Sequence, residues 1–133
     1  MTVRVLVVDD EPDVEMLFRQ QFRREVRDGL YTLDFALSAL SALAILDDAD
    51  GEKIILLVSD INMPGMSGLD LLPMVKARRP DLPVFMISAY SDADTVATAR
   101  ARGADEHFTK PVDFPKLKQD IMVVMADTSG GNG

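Results

Sequence analysis

Four short stretches of this 133-residue chain end in side chains able to handle a charged group: Asp9-Asp10, Asp60, Ser88, and Thr109-Lys110-Pro111. Asp60 lies 50 residues after Asp10, and Lys110 another 50 after Asp60, a repeat suited to alternating strand and helix units. If the fold gathers them, three carboxylates share one cleft, and each pair at ~5 Å costs roughly 3 kcal/mol at an effective dielectric of about 20. Positive charge must offset that repulsion. A hard divalent cation with oxygen ligands, magnesium or manganese, suits such a set, because it accepts one or two carboxylates together with phosphate oxygens. Lys110 adds a second positive charge without coordinating, and Ser88 adds a hydroxyl donor. A cleft of this composition is prepared for a phosphoryl group, with one carboxylate available as the nucleophile.

The elements that must position these residues follow from periodicity. Val3–Val8 is nearly all apolar and β-branched, as a strand covered on both faces should be. From Pro12 the pattern turns helical, with Val14, Leu17, Phe18, Phe22 and Val26 on one stripe and Arg19, Arg23 and Arg27 on another. Tyr31–Ala36 reads as a second strand and Ser38–Leu46 as a helix capped by Ser38. Ile54–Val58 is a buried strand, and a helix carrying Leu69, Leu72 and Val75 ends near Arg79, before Pro80. Pro83–Ile87 is a fourth strand, Asp92–Arg102 a helix stopped by Gly103, and Glu106–His107–Phe108 a short fifth strand. Phe114, Leu117, Ile121 and Met125 mark a last helix. Five strands alternating with five helices predict an α/β, doubly wound parallel sheet whose ligands bind at the carboxyl ends of the strands. Residues 1–126 are expected to form one domain, and 127–133 a flexible tail or linker stub.

The runs Val5–Glu11 and Val58–Leu69, the pair Ser88-Ala89 and the triplet Thr109-Lys110-Pro111, in that order and spacing, resemble the receiver domain of two-component response regulators. The likeness covers residues 3 to about 126. It implies a flavodoxin-like (βα)5 fold with strand order 2-1-3-4-5. It implies Asp60 as phosphoacceptor, Asp10 and Asp60 as direct metal ligands, Asp9 acting through water, and the backbone carbonyl of Asn62 as a further ligand. Lys110 would pair with the phosphoryl group and Ser88 would bond it, shifting the loop after the fourth strand. The Lys110-Pro111 bond is expected to be cis by the same likeness. Partners implied are a histidine kinase or phosphotransfer protein as donor, and an output domain or effector. That effector, or a second copy in a homodimer, would meet the face built from residues 92–102, 106–108 and 114–125. The only chemistry implied is self-directed phosphorylation and dephosphorylation. One position departs from the pattern: His107 stands where the family usually has Tyr or Phe, so a switch there is expected to be weaker or pH-sensitive. Asn62 and Tyr90 occupy the positions of the tuners of dephosphorylation, with Tyr90 expected to shield the phosphoaspartate.

Composition narrows the alternatives. The net charge of −8 makes direct nucleic-acid binding unfavourable, and no apolar run approaches the roughly 20 residues of a membrane span. The absence of cysteine excludes disulfides and thiolate metal sites and agrees with a cytoplasmic protein. An aspartyl-phosphate phosphatase of the haloacid-dehalogenase type would carry an acid where Asn62 stands. A flavin carrier would follow its first strand with a hydroxyl- and glycine-rich loop, where this chain has Asp9-Asp10-Glu11. A third alternative, an interaction domain that never turns over phosphate, is opposed by the intact acidic set. Asp9-Asp10 alone could simply cap a helix, the arginine row is read as a solvated face, and the eight methionines as filling for core gaps.

Overall fold

The computed structural model of the chain describes residues 3–48, 50–89 and 92–130. Its strands are β1 (Arg4–Val8), β2 (Thr32–Ala36), β3 (Ile54–Asp60), β4 (Val84–Ser88) and β5 (Glu106–Thr109). Its helices are α1 (Pro12–Gln21), α2 (Arg23–Arg27), α3 (Ala39–Leu46), α4 (Gly68–Arg78), α5 (Ala93–Ala101) and α6 (Phe114–Gly130). The five strands form one parallel sheet in the order β2-β1-β3-β4-β5, the order the resemblance implies. β1 and β3, at the centre, are apolar along almost their whole length because helices cover both faces of the sheet.

Two apolar clusters flank the sheet. One packs α3, α4 and α5 against Leu6, Val8 and Leu57; the other packs Phe18, Phe22, Leu117 and Ile121 against Val5, Val7 and Val58. The alternation of Val5, Leu6, Val7 and Val8 between the clusters is the period-two signature of a strand. In β3 the alternation slips. The register runs Arg4↔Ile54 and then Val5↔Leu56, so Ile55 is one residue extra and shares a face with Leu56. This bulge sets the phase in which the rest of β3 delivers Asp60 to the carboxyl edge.

Three sequence expectations need correction. The first predicted helix is two, α1 and α2, because Phe22 leaves helical geometry at φ −103°, ψ 11°. Its ring is fully buried and stacks on Phe18 at 5.6 Å, while Leu17 and Val26, expected on the core stripe, are 43% and 38% exposed. A break at Phe22 therefore keeps the aromatic residues in the core while the rest of the stripe drifts outward. Second, α6 continues to Gly130, so residues 127–130 of the expected tail are helical; residues 131–133 lie outside the described residues. Third, β3 runs past Val58 to Asp60 and β5 past Phe108 to Thr109, so Asp60 closes its strand, whereas Asp9 and Lys110 come directly after theirs.

Other local signals are in place. Ser38 accepts the Ser41 N–H at 3.1 Å at the start of α3, and Asp92 caps α5 through the Thr95 N–H at 3.1 Å. Gly103 ends α5 with φ +110°, a conformation that side chains with a Cβ seldom adopt. The described residues contain no helix long and apolar enough to cross a membrane.

Candidate functional site

The site is assembled by the parallel sheet. Asp9 follows β1 directly, and its N–H donates to the Ala36 carbonyl at 3.0 Å, extending the β1–β2 ladder by one step. Asp60 ends β3, flanked by the Ile61 N–H bonded to the Ile87 carbonyl at 2.8 Å. The Lys110 N–H bonds the Ser88 carbonyl at 2.8 Å, which continues the β4–β5 pairing and turns Lys110 toward the edge. Backbone pairing thus brings together residues separated by fifty positions in the chain. The Lys110-Pro111 peptide is cis, as the resemblance implies.

Asp9, Asp10 and Asp60 each offer a carboxylate oxygen, and these oxygens lie within 4.8 Å of one another. Asp60 is 3% exposed and Asp9 is 8% exposed, while Asp10 is half-buried. Lys110 Nζ stands 3.5 Å from Asp60 Oδ1 and 4.0 Å from Asp9 Oδ2. The Asp9 pKa is raised to about 6, chiefly by burial and also by the neighbouring Asp60 and Asp10 charges, against the Glu11 N–H and Lys110, which lower it. The Asp60 pKa is also raised by burial, opposed by Lys110 and by the Asn62 N–H, which donates to Oδ1 at 3.4 Å.

With all three carboxylates ionised and Lys110 protonated, the cluster carries a residual charge of −2 in a partly desolvated cleft. A hard divalent cation fits this donor set by charge and by ligand type. The fit rests on clustered oxygens that the lysine alone leaves uncompensated. Asp9 also accepts the Glu11 N–H at 2.9 Å beside the start of α1, where Glu11 itself makes no side-chain cap. The capping and metal-binding readings of Asp9 are therefore compatible, since its Oδ2 remains turned toward Lys110.

Ser88 ends β4, fully buried, with Oγ 2.8 Å from His107 Nε2 of β5. His107 is half-buried, and burial lowers its pKa, with Arg100 acting in the same direction and Asp92 opposing. Asn62 is exposed at the rim, and Tyr90 lies outside the described residues. Two features were missed in the sequence. One is the Ser88–His107 bond, which joins residues on neighbouring strands. The other is Gly68, where a Cβ would stand 2.2 Å from the Asp60 carbonyl oxygen and 2.8 Å from Met86 Cε. The run Ser67-Gly68 between the turn and the helix is the only sequence trace of that close approach. Beside the site, a cavity of about 250 Å³ lined by Val14, Leu17, Phe18 and Pro111 opens between α1 and the start of α6, with Asp9 and Lys110 on its wall.

Known proteins resemble this chain in sequence and in fold. The family model described as the response regulator receiver domain matches residues 5–122. The response regulator protein PilR of Pseudomonas aeruginosa is 36% identical over 122 residues, which are 92% of this chain and 26% of PilR. The chain therefore spans about a quarter of that relative. Sporulation initiation phosphotransferase F of Bacillus subtilis is 28% identical over 121 residues, 91% of this chain and 92% of that protein. Among solved structures, a CheY-like receiver domain protein from Methanospirillum hungatei superposes with a TM-score of 0.84 at 26% identity, covering 100% of both chains. The DrrB receiver domain, described as BeF3-activated, has the same fold, with a TM-score of 0.80 at 23% identity over 94% of this chain and 98% of that one.

Proposed function

The chain belongs to the family of response regulator receiver domains, and we propose that Asp60 is its phosphoacceptor, taking a phosphoryl group from a phosphohistidine of a histidine kinase or phosphotransfer protein. The observation that carries this reading is the near-complete burial of Asp60 at a strand end, with Lys110 at 3.5 Å and two further carboxylates within 4.8 Å. An Asp60 carboxylate oxygen attacks phosphorus, the phosphorus–nitrogen bond to the donor imidazole breaks, and its electron pair returns to the ring. The new phosphorus–oxygen bond leaves an acyl phosphate on Asp60.

Lys110 holds Asp60 from one side and offers an ammonium to the phosphoryl oxygens as their charge moves during transfer. Ser88 offers a hydroxyl from β4 on the same edge. Asp9, Asp10 and Asp60, with the Asn62 carbonyl, would hold magnesium or manganese, which supplies further positive charge to the phosphoryl oxygens when bound. Asn62 at the exposed rim and Tyr90 tune the lifetime of the acyl phosphate. The buried cleft admits the group and limits water, so the product persists long enough to act as a signal. Loading then biases a two-state equilibrium of the face formed by α5, β5 and α6, which meets an output domain, an effector or a second copy of the chain.

Incubation with acetyl phosphate and magnesium, followed by intact-mass measurement, tests the assignment. The expected result is one added phosphoryl group on the wild type and none on Asp60→Asn. Equal phosphorylation of the two proteins would refute Asp60 as the acceptor.

A further inference from the structure

Positive charge collects at one corner of this acidic chain. Arg19, Arg23, Arg24, Arg27 and Lys118 gather where α1 gives way to α2 and α6 passes beside them, although the chain as a whole carries −8. Thr32, at the same corner, pairs with Arg4, and Arg4 pairs with Ile54, so the corner lies at the opposite edge of the sheet from Asp60. Two cavities meet there. One, of about 360 Å³, is walled by Arg23, Arg24, Arg27, Lys118 and a single acid, Glu25. The other, of about 450 Å³, is lined by Val26, Leu33, Thr32 and Arg19. Arg23 and Arg27 belong to both.

Glu25 does not offset the arginines, because Lys118 Nζ already holds its Oε2 at 3.2 Å. Arg19 is committed too, to Glu15 at 3.0 Å and to the Phe35 ring at 4.7 Å from its centroid. Arg27 meets only Asp28, at 3.5 Å, and Arg23 and Arg24 make no ion pair among the described residues. Three guanidiniums thus keep donors for something outside the chain. Each presents N–H groups in a fixed fork that matches two phosphate oxygens, and several cations on one wall concentrate a polyanion that the rest of the surface repels. The adjoining cavity differs in kind. Val26 is 38% exposed there beside Leu33, and Thr32 adds a hydroxyl at the side. A ligand that complements both cavities carries at least two phosphates on a body with an apolar face and a polar edge. Free pyrophosphate would leave Val26 and Leu33 uncovered. A protein partner fits less well, since interfaces centre on a buried apolar anchor and the first cavity has no apolar lining residue.

We propose that this corner binds a nucleoside diphosphate, with its phosphates on Arg23, Arg24 and Arg27 and its base against Val26 and Leu33, Thr32 at the base edge. The site is separate from the Asp60 cleft and does not depend on its assignment.

The test is a ¹H–¹⁵N NMR titration of the whole chain in EDTA, so that no ion bridges the ligand to Asp9, Asp10 and Asp60. The probes are ADP, GDP, inorganic pyrophosphate and a short single-stranded RNA. The proteins are the wild type, Arg23→Ala, Arg27→Ala and Val26→Ser; all three substituted side chains are exposed, and urea unfolding confirms that each variant is folded. Either nucleotide is expected to shift the amides of residues 19–27, 32–33 and 118 and to leave 9, 60 and 110 in place. Arg23→Ala and Arg27→Ala should each weaken nucleotide and pyrophosphate alike, by about tenfold for the loss of a charge-assisted pair. Val26→Ser should weaken the nucleotides about threefold and leave pyrophosphate unchanged. Pyrophosphate binding as tightly as both nucleotides, or nucleotide affinity unchanged in Val26→Ser, would overturn the nucleoside assignment. RNA binding more tightly than either nucleotide, shifts confined to the Asp60 edge, or no shift at about 10 mM nucleotide would overturn the site as proposed.

Discussion

Asp9→Asn should stabilise the metal-free protein, and by an amount that depends on pH. Asp9 is 8% exposed and its pKa is raised from 3.8 to about 6, first by burial and then by Asp60 and Asp10. Between those values the folded chain binds more protons at Asp9 than the unfolded chain does, so stability rises as pH falls. The shift corresponds to roughly 3 kcal/mol of penalty for holding Asp9 charged, present in full above pH 6 and relieved as pH drops toward 3.8. From pH 7.5 to pH 5 the linkage relation gives a gain of about 1.4 kcal/mol in wild type. For a domain of this size that is on the order of 5 °C in Tm. Asparagine keeps the oxygen that accepts the Glu11 N–H and cannot ionise, so it carries none of this dependence. Urea unfolding in EDTA at pH 7.5, 6 and 5 should therefore show Asp9→Asn more stable than wild type, by a margin that shrinks by about 1.4 kcal/mol toward pH 5. Magnesium should reverse the order at pH 7.5, because the ion stabilises only the fold that keeps its carboxylates. A margin independent of pH would refute the claim that burial and like charge at Asp9 cost the fold stability.

Lys110→Ala removes the ammonium 3.5 Å from Asp60, so phosphorylation by acetyl phosphate should slow by roughly 10²-fold, and urea stability in EDTA should fall because the buried Asp60 loses its opposite charge. Gly68→Ala drives a methyl into the Asp60 carbonyl oxygen, so unfolding should come about 3 kcal/mol more easily, and the surviving folded protein should load phosphate poorly. Arg79→Ala loses bonds at 2.9 Å and 3.0 Å to the Gly51 and Ile54 carbonyls, which tie the end of α4 to the start of β3. Urea unfolding should register a loss of about 1 to 3 kcal/mol, and the rate of phosphorylation should be unchanged because the contact lies at the opposite end of β3 from Asp60.

The composition of the site was legible in the sequence because each acid follows an apolar run, and that change of residue type is local. Val5–Val8 before Asp9, and Ile54–Val58 shortly before Asp60, mark strand ends without reference to anything distant. Alternation of strands with helices then requires parallel pairing, which sends the carboxyl ends to one edge. Ser38, Asp92 and Gly103 were equally local, since caps and stops act within one turn. The break at Phe22 was not, because its cause is a ring packed against Phe18, Tyr31 and Phe114 from three parts of the chain. Nor were the bulge at Ile55, the Gly68 contact or the bond from Ser88 to His107, which depend on strand register and on how closely the backbones approach. The residue types along the chain determined which groups could meet at the edge. Tertiary packing decided their separations and burial, and therefore the charge that Asp9 carries and the partner that Ser88 holds, because desolvation and hydrogen bonding are properties of neighbours in space.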